Sequence, residues 1–547
     1  MATIKFNKKT FEKEIGKLTP DLQQKIALFG TPLESITDTE LEIDVTPNRP
    51  DLLSYQGFKR GILAFLGKKT GFIEYKINPP QKDYVVNIDS SLKDIRPFTA
   101  CAIIKGLNFD DEKIKEIIDI QEKLHTTVGR KRKKLAIGIY PLEKIKLPIT
   151  FKALEPEKIK FIPLESEKEM TGIQILQRHK TGRDYAHLLA GKTKFPIFID
   201  ANNEILSMPP IINSEKTGRI TKDTKEIFIE CSGFNFEILS KCLNIIVSTL
   251  IDMGGTAYQM ELRGIKKQTP NFSPQKKKLS LENLNKTLGV TLTEKEIKSL
   301  LEKMGHGYEK GEVTSPNYRT DLLHEIDLIE DIAIAYGYDK FEPIIPQIAT
   351  IGSEDNKETL KRKIREIISG LSILEISNLH LTTKKYQFEN MGFTQKEEKG
   401  AIELIDSKTE NNLLRKDLTH QTMKVFSENV DTQYPQKVFE IGKVFEEKTG
   451  KLIEKESLSI AITPGNFTEL KQIFEYLKRM LNIELEIAEP KENSKYYVEG
   501  RFVKIKHKEK TIGEMGEIHP KILKNWKLKM PVAILEIELE EIFNQLI

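Results

Sequence analysis

The segment "RTDLLHEIDLIEDIA", residues 319–333, decides how the sequence around it is interpreted. Its apolar residues follow steps of four, three and four, the spacing of one face of an α-helix, at Leu322, Ile326, Ile329 and Ala333. Among them stand carboxylates at Asp321, Glu325, Asp327, Glu330 and Asp331. The segment therefore predicts an amphipathic helix whose polar side is crowded with negative charge.

Three of these carboxylates, Asp327, Glu330 and Asp331, fall within an arc of about 100° beside the apolar stripe. Like charges at these spacings repel by about 0.2–0.5 kcal/mol on an exposed helix, a cost that a helix tolerates. One interpretation is therefore a solvated acidic face. The other is a site for a hard divalent cation, because carboxylate oxygens suit Mg²⁺. Asp321 would then either cap the helix or supply a fourth oxygen.

A chain of 547 residues is too long for a single core, and three linkers divide it. The linkers are "PPQKD" (79–83), "KKQTPNFSPQKKK" (266–278) and "FEPIIPQ" (341–347). The predicted fold class is multidomain α+β, with each part identified from its strand and helix patterns. The predicted parts are an N-terminal α+β domain (1–80), a mixed α+β domain (84–265), a small helical domain (270–345) and a C-terminal antiparallel sheet with helices (350–547).

The N-terminal domain contains an alternating strand, "LEIDV", followed by the turn "TPNRPD". Two prolines fix the backbone of this turn. Asp51 is predicted to cap the helix that follows, and that helix is predicted to end near Gly67. Arg49 lies on the turn just before the helix, and the favoured interpretation of it is a structural turn residue.

Bulk composition is typical of an ordinary water-soluble protein. Lys and Arg total 85 against 81 acidic residues, so any nucleic-acid contact must come from local patches. The three cysteines fit no disulfide framework or zinc spacing, which favours a reducing compartment. The sequence shows no signal-peptide pattern and no run of 18 apolar residues. These features predict a cytoplasmic protein that does not span a membrane.

Two further segments leave alternatives open. "TTVGRKRKKLAIG" holds the densest basic cluster, residues 130–134, which fits a solvated loop or a loop that contacts phosphates. "LSMPPIIN" places adjacent prolines before Asn213 and Ser214, which fits a rigid polar pocket wall or a plain surface loop. The sequence contains no G-x-S-x-G, Walker or H-E-x-x-H motif.

Four motifs, taken in order, resemble one family. They are "TPNRPDLLS" (46–54), "LSMPPIINS" (206–214), "YRTDLLHEIDLIEDIAIAYGYD" (318–339) and "FEIGKVF" (439–445). Their order resembles that of the phenylalanyl-tRNA synthetase β subunits, in the shorter form typical of archaea and eukaryotes. The resemblance covers nearly the whole chain, and the first and third motifs are specific in combination.

The resemblance implies an enzyme of α₂β₂ composition that joins phenylalanine to tRNA(Phe) with ATP, the aminoacylation site lying on the α subunit. It also implies that this chain has an editing domain that hydrolyses tyrosine wrongly attached to that tRNA. In the family, Mg²⁺ ligands follow D-x5-D-x2-E-[DE], a pattern that here falls on Asp321, Asp327, Glu330 and Asp331. The ion is expected to be shared with the α subunit, and Glu325, off the pattern, is expected to be solvated.

The resemblance also points to an editing pocket around "ILSMPPIINS" and "IECSG". Leu206, Asn213 and Ser214 would shape the pocket, while Glu230 and Ser232 would offer polar contacts to the tyrosine hydroxyl or to a water. Members of the family often carry Asp-x-Thr where this chain has Glu230-Cys231-Ser232. The reach of the two polar side chains therefore differs here.

The C-terminal module resembles a class II synthetase catalytic domain, but it departs from an active site of that class. Lys443 is the nearest basic residue in "FEIGKVFEE", and "GEMGEIH" has no arginine. Because phosphate recognition favours the planar bidentate fork of arginine, the module is predicted to be catalytically silent. A rival to the subunit interpretation is a tRNA-binding scaffold or a stand-alone trans-editing protein.

Overall fold

The computed structural model describes residues 2–348, 350–394 and 400–546. The chain divides into two compact units, residues 1–345 and 346–547. Sheets and helices both contribute to each unit, which confirms the predicted multidomain α+β class. The finer division into four parts stays a prediction.

The first unit begins with a three-stranded antiparallel sheet of order β1-β3-β2. One helix, α3, packs into the same core as this sheet through Phe58 and Ile62. The elements are β1 (Ala2–Asn7), α1 (Lys8–Glu14), α2 (Pro20–Leu28), β2 (Leu33–Ile36), β3 (Glu40–Val45) and α3 (Tyr55–Phe65). The prediction that Asp51 caps α3 is wrong: the Ser54 side chain accepts the Gly57 N–H, while Asp51 lies in a 3₁₀ turn and binds Arg49.

The middle of the first unit is built on an eleven-stranded mixed sheet that ends in β6, β14 and β7, with β7 at the edge. Helix α8 packs on β6 and β14, so one face of these strands is deeply buried. The elements are β4 (Ile77–Asn78), β5 (Val85–Ile88), β6 (Phe98–Lys105), α4 (Asp111–Thr126), β7 (Leu135–Pro141), β8 (Ile149–Leu154), β9 (Lys160–Phe161), β10 (Met170–Thr171), α5 (Gly172–Arg178), α6 (Lys180–Tyr185), β11 (Phe195–Ile199), β12 (Ile205–Met208), β13 (Ile212–Asn213), α7 (Glu215–Gly218), β14 (Ile227–Gly233), α8 (Phe236–Asp252), β15 (Thr256–Arg263) and β16 (Lys267–Thr269).

The last part of the first unit packs three helices around a small apolar core that includes Leu284, Leu301 and Ile329. It also carries a three-stranded sheet of order β17-β19-β18, so the part predicted as mainly helical is mixed. The elements are β17 (Gln275–Lys278), α9 (Leu281–Leu288), α10 (Glu294–Lys303), β18 (Gly307–Glu309), β19 (Glu312–Ser315) and α11 (Glu325–Tyr336).

The second unit is a seven-stranded sheet of order β20-β23-β24-β28-β27-β26-β25, antiparallel except between β20 and β23. Helices α12 and α14 share one core with it. The elements are α12 (Asn356–Ser369), β20 (Leu374–Glu375), β21 (Leu381–Thr382), β22 (Leu413–Leu414), α13 (Thr419–Glu428), β23 (Gln436–Lys448), β24 (Lys451–Thr463), α14 (Phe467–Leu481), β25 (Glu486–Ala488), β26 (Tyr497–His507), β27 (Lys510–Ile518), α15 (Pro520–Asn525), β28 (Ala533–Glu538) and α16 (Glu540–Leu546).

Candidate functional site

The acidic helix α11 begins at Glu325, three residues later than the apolar pattern indicates. Asp327 closes its N-terminus, because its Oδ2 accepts the N–H groups of Leu323 and His324, each at 2.6 Å. Leu322 therefore precedes the helix, and Ile326 is 52% exposed instead of lying on the buried face. Of the two alternatives for Asp321, capping of this helix is therefore excluded, because Asp327 makes the cap.

Glu325 also has a definite partner. Its carboxylate accepts the Ser280 N–H at 2.5 Å and the Asn283 side-chain amide at 2.8 Å, both at the start of α9. The expectation of a merely solvated residue is therefore wrong. A carboxylate at a helix N-terminus satisfies otherwise unpaired N–H groups, which is a structural role.

Asp321 and Asp331 converge on one arginine that the sequence analysis did not single out. Arg319 is 2% exposed, and its Nη2 lies 2.7 Å from Asp321 Oδ2 and 2.8 Å from Asp331 Oδ2. His306 Nε2 lies 2.7 Å from the same Asp331 oxygen. Burial alone would raise the pKa of Asp331, but the Arg319 guanidinium and the His306 ring hold it well below its usual range. These two carboxylates thus have a cationic partner within the fold.

Glu330 is the exposed member of the predicted metal set. Burial and the nearby carboxylates of Asp331 and Asp327 raise its pKa, so negative charge is concentrated around it. Within the described residues, no three His, Cys, Asp or Glu side chains are grouped closely enough to hold a metal ion. The four-carboxylate arrangement is therefore not formed here, and the Mg²⁺ site stays a prediction.

The Arg319 cluster continues into the N-terminal part of the same unit. Arg49 binds Asp51 through two nitrogens at 2.9 and 2.8 Å, and the positive charge of Arg319 acts on both residues. Arg60 binds Asp252 at 2.5 Å and stacks on the ring of Tyr318 at 4.1 Å. The buried charges therefore connect segments far apart in the sequence, and "YRTD" supplies three of the residues involved, Tyr318, Arg319 and Asp321.

A second polar cluster surrounds Glu230 in the middle of β14. Glu230 is 1% exposed, and its Oε2 has no hydrogen-bond partner among the described residues. The Tyr140 hydroxyl lies 3.4 Å from Glu230 Oε1 and 3.3 Å from Asn213 Oδ1. Burial raises the pKa of Glu230 to about 8, although Arg96, Ser232 and Tyr140 oppose the shift. The carboxyl is therefore largely protonated at neutral pH.

The register of the sheet explains this arrangement. Glu230 lies opposite Gly138 on β7. A Cβ on Gly138 would stand 2.1 Å from the Tyr140 hydroxyl and 2.7 Å from Glu230 Oε1. The glycine therefore leaves the room that both side chains occupy. Tyr140 and Gly138 were missed in the sequence analysis, although the glycine within the apolar strand "KLAIGIY" is a signal of close approach.

The other predicted pocket residues lie close by in different roles. Leu206 is buried in the same apolar core as Tyr140. Ser214 is buried, and its N–H donates to the Leu206 carbonyl at 2.8 Å. Ser232 accepts a hydrogen bond on Oγ from Arg96 Nε at 3.0 Å, and its carbonyl accepts one from Arg96 Nη2 at 2.6 Å. Arg96, another residue that the sequence analysis missed, thus links Ser232 electrostatically to Glu230.

The most buried arginine of the second unit, Arg415, is engaged by groups within the fold. Arg415 Nη1 lies 2.6 Å from Glu440 Oε1 and 2.7 Å from Gln421 Oε1. Lys443 Nζ is paired with Glu454 at 2.7 Å. A cleft of about 650 Å³ over the sheet is lined by more carboxylates than cations: Glu446, Glu447, Glu514, Glu536 and Glu538 against Lys416, Lys455 and Lys504. Such a lining disfavours phosphate binding.

Comparison with known protein families adds independent evidence. The chain matches the models of the phenylalanyl tRNA synthetase beta chain CLM domain at residues 342–539, the tRNA synthetase B5 domain at residues 277–338 and the B3/4 domain at residues 107–245. Together with the mixed α+β architecture, these matches define the chain as a subunit of an aminoacyl-tRNA synthetase.

Individual relatives identify which aminoacyl-tRNA synthetase subunit the chain is similar to. The phenylalanine–tRNA ligase β subunit of Thermococcus sibiricus is 37% identical over 509 residues, covering 91% of this chain and 90% of the relative. That of Archaeoglobus fulgidus is 32% identical and covers 97% of each chain. The crystal structure of an N-terminal fragment of the phenylalanyl-tRNA synthetase β subunit from Pyrococcus horikoshii matches with a TM-score of 0.59 and 36% identity, covering 61% of this chain and 99% of that chain.

The chain belongs to the phenylalanine–tRNA ligase β-subunit family. The resemblance inferred from the four motifs is thereby confirmed. Among the described residues, no helix combines the length and apolarity needed to cross a membrane.

Proposed function

We propose that this chain assembles with a catalytic α subunit into an α₂β₂ complex that charges tRNA(Phe) with phenylalanine and ATP in the cytoplasm. ATP and phenylalanine would bind on the α subunit. The C-terminal module of this chain would be catalytically silent, which the acidic cleft and the engaged Arg415 support. The three free buried cysteines accord with a reducing compartment.

The chemistry of this chain itself would be hydrolysis of Tyr-tRNA(Phe) at the Glu230 cluster. The observation that carries this proposal is a buried carboxyl group with one unpartnered oxygen, next to a tyrosine hydroxyl and an asparagine amide. A buried polar group is costly unless a ligand completes its hydrogen bonds. The phenol of a misattached tyrosine offers that partner, whereas phenylalanine does not.

This arrangement gives the cluster its selectivity. A phenylalanine pocket rejects an added hydroxyl poorly, but a site built to bond a hydroxyl strongly disfavours an analogue that lacks it. Glu230 and Tyr140 would bind the phenol, and Leu206 would form the apolar wall. Asn213, Ser214 and Ser232 would orient the ester or the attacking water.

The direct test uses purified Tyr-tRNA(Phe) and the full chain co-purified with its α subunit. Release of free tyrosine at a rate above the spontaneous rate, with Phe-tRNA(Phe) hydrolysed far more slowly, is the expected result. Equal release from both substrates would contradict the proposed selectivity. A lone chain that stays monomeric and fully active would contradict the assembly with α.

Mg²⁺ is proposed to bind at the exposed end of the acidic helix, held by Asp327 and Glu330 with waters and groups of the α subunit. Mg²⁺ usually keeps several waters and needs only one or two carboxylates, so the two members of the predicted set that do not bind Arg319 suffice. Asp321 and Asp331 could join them only by giving up bonds to Arg319. In this arrangement, Asp321 and Asp331 would mainly add negative charge near the cation.

Asp327→Asn is expected to weaken assembly with the α subunit at low Mg²⁺ by about tenfold and at high Mg²⁺ much less. The amide keeps an oxygen that can cap α11 but removes the charge that attracts the cation. Assembly would be followed by sizing chromatography over a Mg²⁺ titration. Glu309→Ala, an exposed carboxylate on β18, is the matched control. An equal loss at both concentrations would contradict the metal role.

A further inference from the structure

A cavity of about 350 Å³ opens between the three-stranded N-terminal sheet and helix α4. Its described lining includes neither Glu230 nor any residue of the acidic helix α11, so it is a separate feature of the first unit. The apolar part of the lining comprises Ile4, Phe6, Leu53 and Tyr55, and the charged part has six carboxylates and four lysines. A cavity of this size suits a small molecule.

The carboxylates of this cavity outnumber the cations that are free to balance them. Three of the four lysines already have partners within the fold. These pairs are Lys5 with Glu42 at 3.3 Å, Lys113 with the Asn108 carbonyl at 2.8 Å, and Lys123 with Asp119 at 3.8 Å. In the part of the chain that the structure describes, Glu40, Glu112 and Glu116 make no ion pair. Lys115 is the lysine left to balance them, so the lining favours a cationic ligand.

A buried hydrogen-bond acceptor without a partner lines the same cavity. Gln56 is 8% exposed, and its side-chain Oε1 accepts no hydrogen bond from the described residues. The backbone N–H of Gln56 donates to Glu116 Oε1 at 2.8 Å, which joins α4 to the start of α3. Burial raises the pKa of Glu116 to about 7, although the bond from Gln56 and the charge of Lys59 oppose the shift. An unpaired acceptor beside a poorly compensated carboxyl favours a ligand that donates hydrogen bonds and carries positive charge.

The carboxylates on α4 form a row, and its spacing restricts the kind of cation. Glu112, Glu116 and Asp119 stand four and three residues apart along the helix, so they share one face of it. Neighbouring members of such a row are about 5–6 Å apart at Cβ. Among the described residues, no three acidic, His or Cys side chains are grouped closely enough to hold one metal ion. Charges spread along a line, with apolar surface in the same cavity, suit an extended cation that alternates ammonium groups with methylene groups.

We propose that this cavity binds a linear aliphatic polyamine whose ammonium groups lie on Glu112 and Glu116. Its methylene groups would pack on Phe6 and Tyr55, and the Oε1 of Gln56 would accept a hydrogen bond from the nearer ammonium group. Bonds between ammonium groups and carboxylates are among the strong ones, because both partners are charged. The ligand would contact β1 and α4 together and thereby stabilise the packing of the N-terminal sheet on the rest of the first unit.

The test measures binding of spermidine, by isothermal titration calorimetry, to the full chain co-purified with its α subunit and freed of RNA by nuclease treatment. One saturable site per copy of this chain is expected, with putrescine binding more weakly and uncharged butanediol not binding. Glu116→Gln is expected to weaken spermidine binding at least tenfold, because it removes a charge-assisted hydrogen bond. The amide still accepts the Gln56 N–H, so the contact between α3 and α4 is kept.

Two variants of exposed residues test the dependence on charge without disturbing the core. Glu112→Gln is expected to weaken spermidine binding about fivefold, and Lys115→Glu is expected to tighten it by a similar factor, because it adds negative charge at the cavity. Asp111→Asn is the matched control. It removes a carboxylate from the same helix, at an exposed residue that pairs with Lys222 and does not line the cavity. Binding within twofold of the wild type is expected for this control.

An equal loss in Glu112→Gln and Asp111→Asn, or weaker binding in Lys115→Glu, would overturn the inference. Complete displacement of spermidine by Mg²⁺ at matched ionic strength would also overturn it, since the site would then select charge alone. Thermal unfolding gives a second readout: spermidine should raise the Tm of the wild type more than that of Glu112→Gln, whereas butanediol should change neither. Release of tyrosine from Tyr-tRNA(Phe) is expected to be the same in all four variants, so this inference and the proposed hydrolysis are tested separately.

Discussion

Replacing Glu230 by alanine is expected to lower hydrolysis of Tyr-tRNA(Phe) by about 100-fold and to leave charging with phenylalanine unchanged. The size follows from the loss of a buried hydrogen bond to an ionisable group, about 1.5–3 kcal/mol, or roughly 10- to 150-fold. Misacylation with tyrosine should rise in parallel. The measurement is single-turnover release of tyrosine, alongside aminoacylation of tRNA(Phe) with each amino acid.

The matched control for this variant is Cys231→Ala. Cys231 is as buried as Glu230 but belongs to the opposite face of β14, where it packs in a different core. It should leave hydrolysis within a few-fold of the wild type. Tyr140→Phe removes the neighbouring hydroxyl and is expected to give an intermediate loss. A parallel loss of both hydrolysis and phenylalanine charging in Glu230→Ala would mean that the residue is only structural.

The buried Glu230 carboxyl predicts a pH dependence of the free energy of unfolding, and the direction of its pKa shift gives the sign. Its pKa in the folded state, about 8, lies above the ordinary value for glutamate, so the unfolded chain releases this proton at lower pH. The stability that depends on a protonated Glu230 is therefore fully present in acid and is lost as pH rises towards 8. Glu230→Gln should flatten the decrease in stability between pH 5 and pH 8, as thermal unfolding would show.

Replacing Arg319 by methionine is expected to destabilise the first unit by about 3–5 kcal/mol. The change leaves Asp321 and Asp331 buried without their cation, and removing one partner of a buried ion pair costs about this much. The double variant Arg319→Met/Asp331→Asn should recover part of the loss, because it also removes a stranded charge. A loss below 1 kcal/mol would show that the cluster contributes little.

The single tryptophan makes this measurement selective. Trp526 is buried in the second unit, so its fluorescence reports that core, while far-UV circular dichroism reports both units. In a urea titration, Arg319→Met should shift the circular dichroism transition more than the fluorescence transition. Arg415→Met, which breaks the buried pair with Glu440, should do the reverse.

The pKa of Asp331 is lowered in the folded state, so the stabilisation that its charged form provides fades as pH falls. The destabilisation caused by Arg319→Met should therefore shrink in acid.

Local patterns in the sequence were sufficient for some features. Alternation identified the strand around β3, and the acidic segment was correctly predicted as a helix. The start of that helix was misplaced because the cap forms through Asp327, four residues after Leu323, instead of at Asp321. The exposed Ile326 follows from this shift. Its free side chain, next to the acidic end of the helix, is available to a partner.

Local sequence patterns do not show which distant residues become neighbours in the folded chain. From the sequence alone, the five neighbouring carboxylates cannot be told apart. Only the folded chain distinguishes Asp331, which binds Arg319 and His306, from the exposed Glu330. Likewise, Glu230 is an ordinary residue of a strand until β7 places Gly138 and Tyr140 against it. Such pairings join residues roughly 90 positions apart in β7 and β14.

The sequence by itself determined the family, the helical character of the acidic segment and the regions in which a site was to be sought, because motif order and periodicity are properties of neighbouring residues. The tertiary structure alone decided which carboxylates are paired with cations inside the fold and which one is held protonated by burial. The reason is physical: the charge state and reactivity of a side chain depend on desolvation and on the groups within a few ångströms, and those groups come from distant parts of the chain.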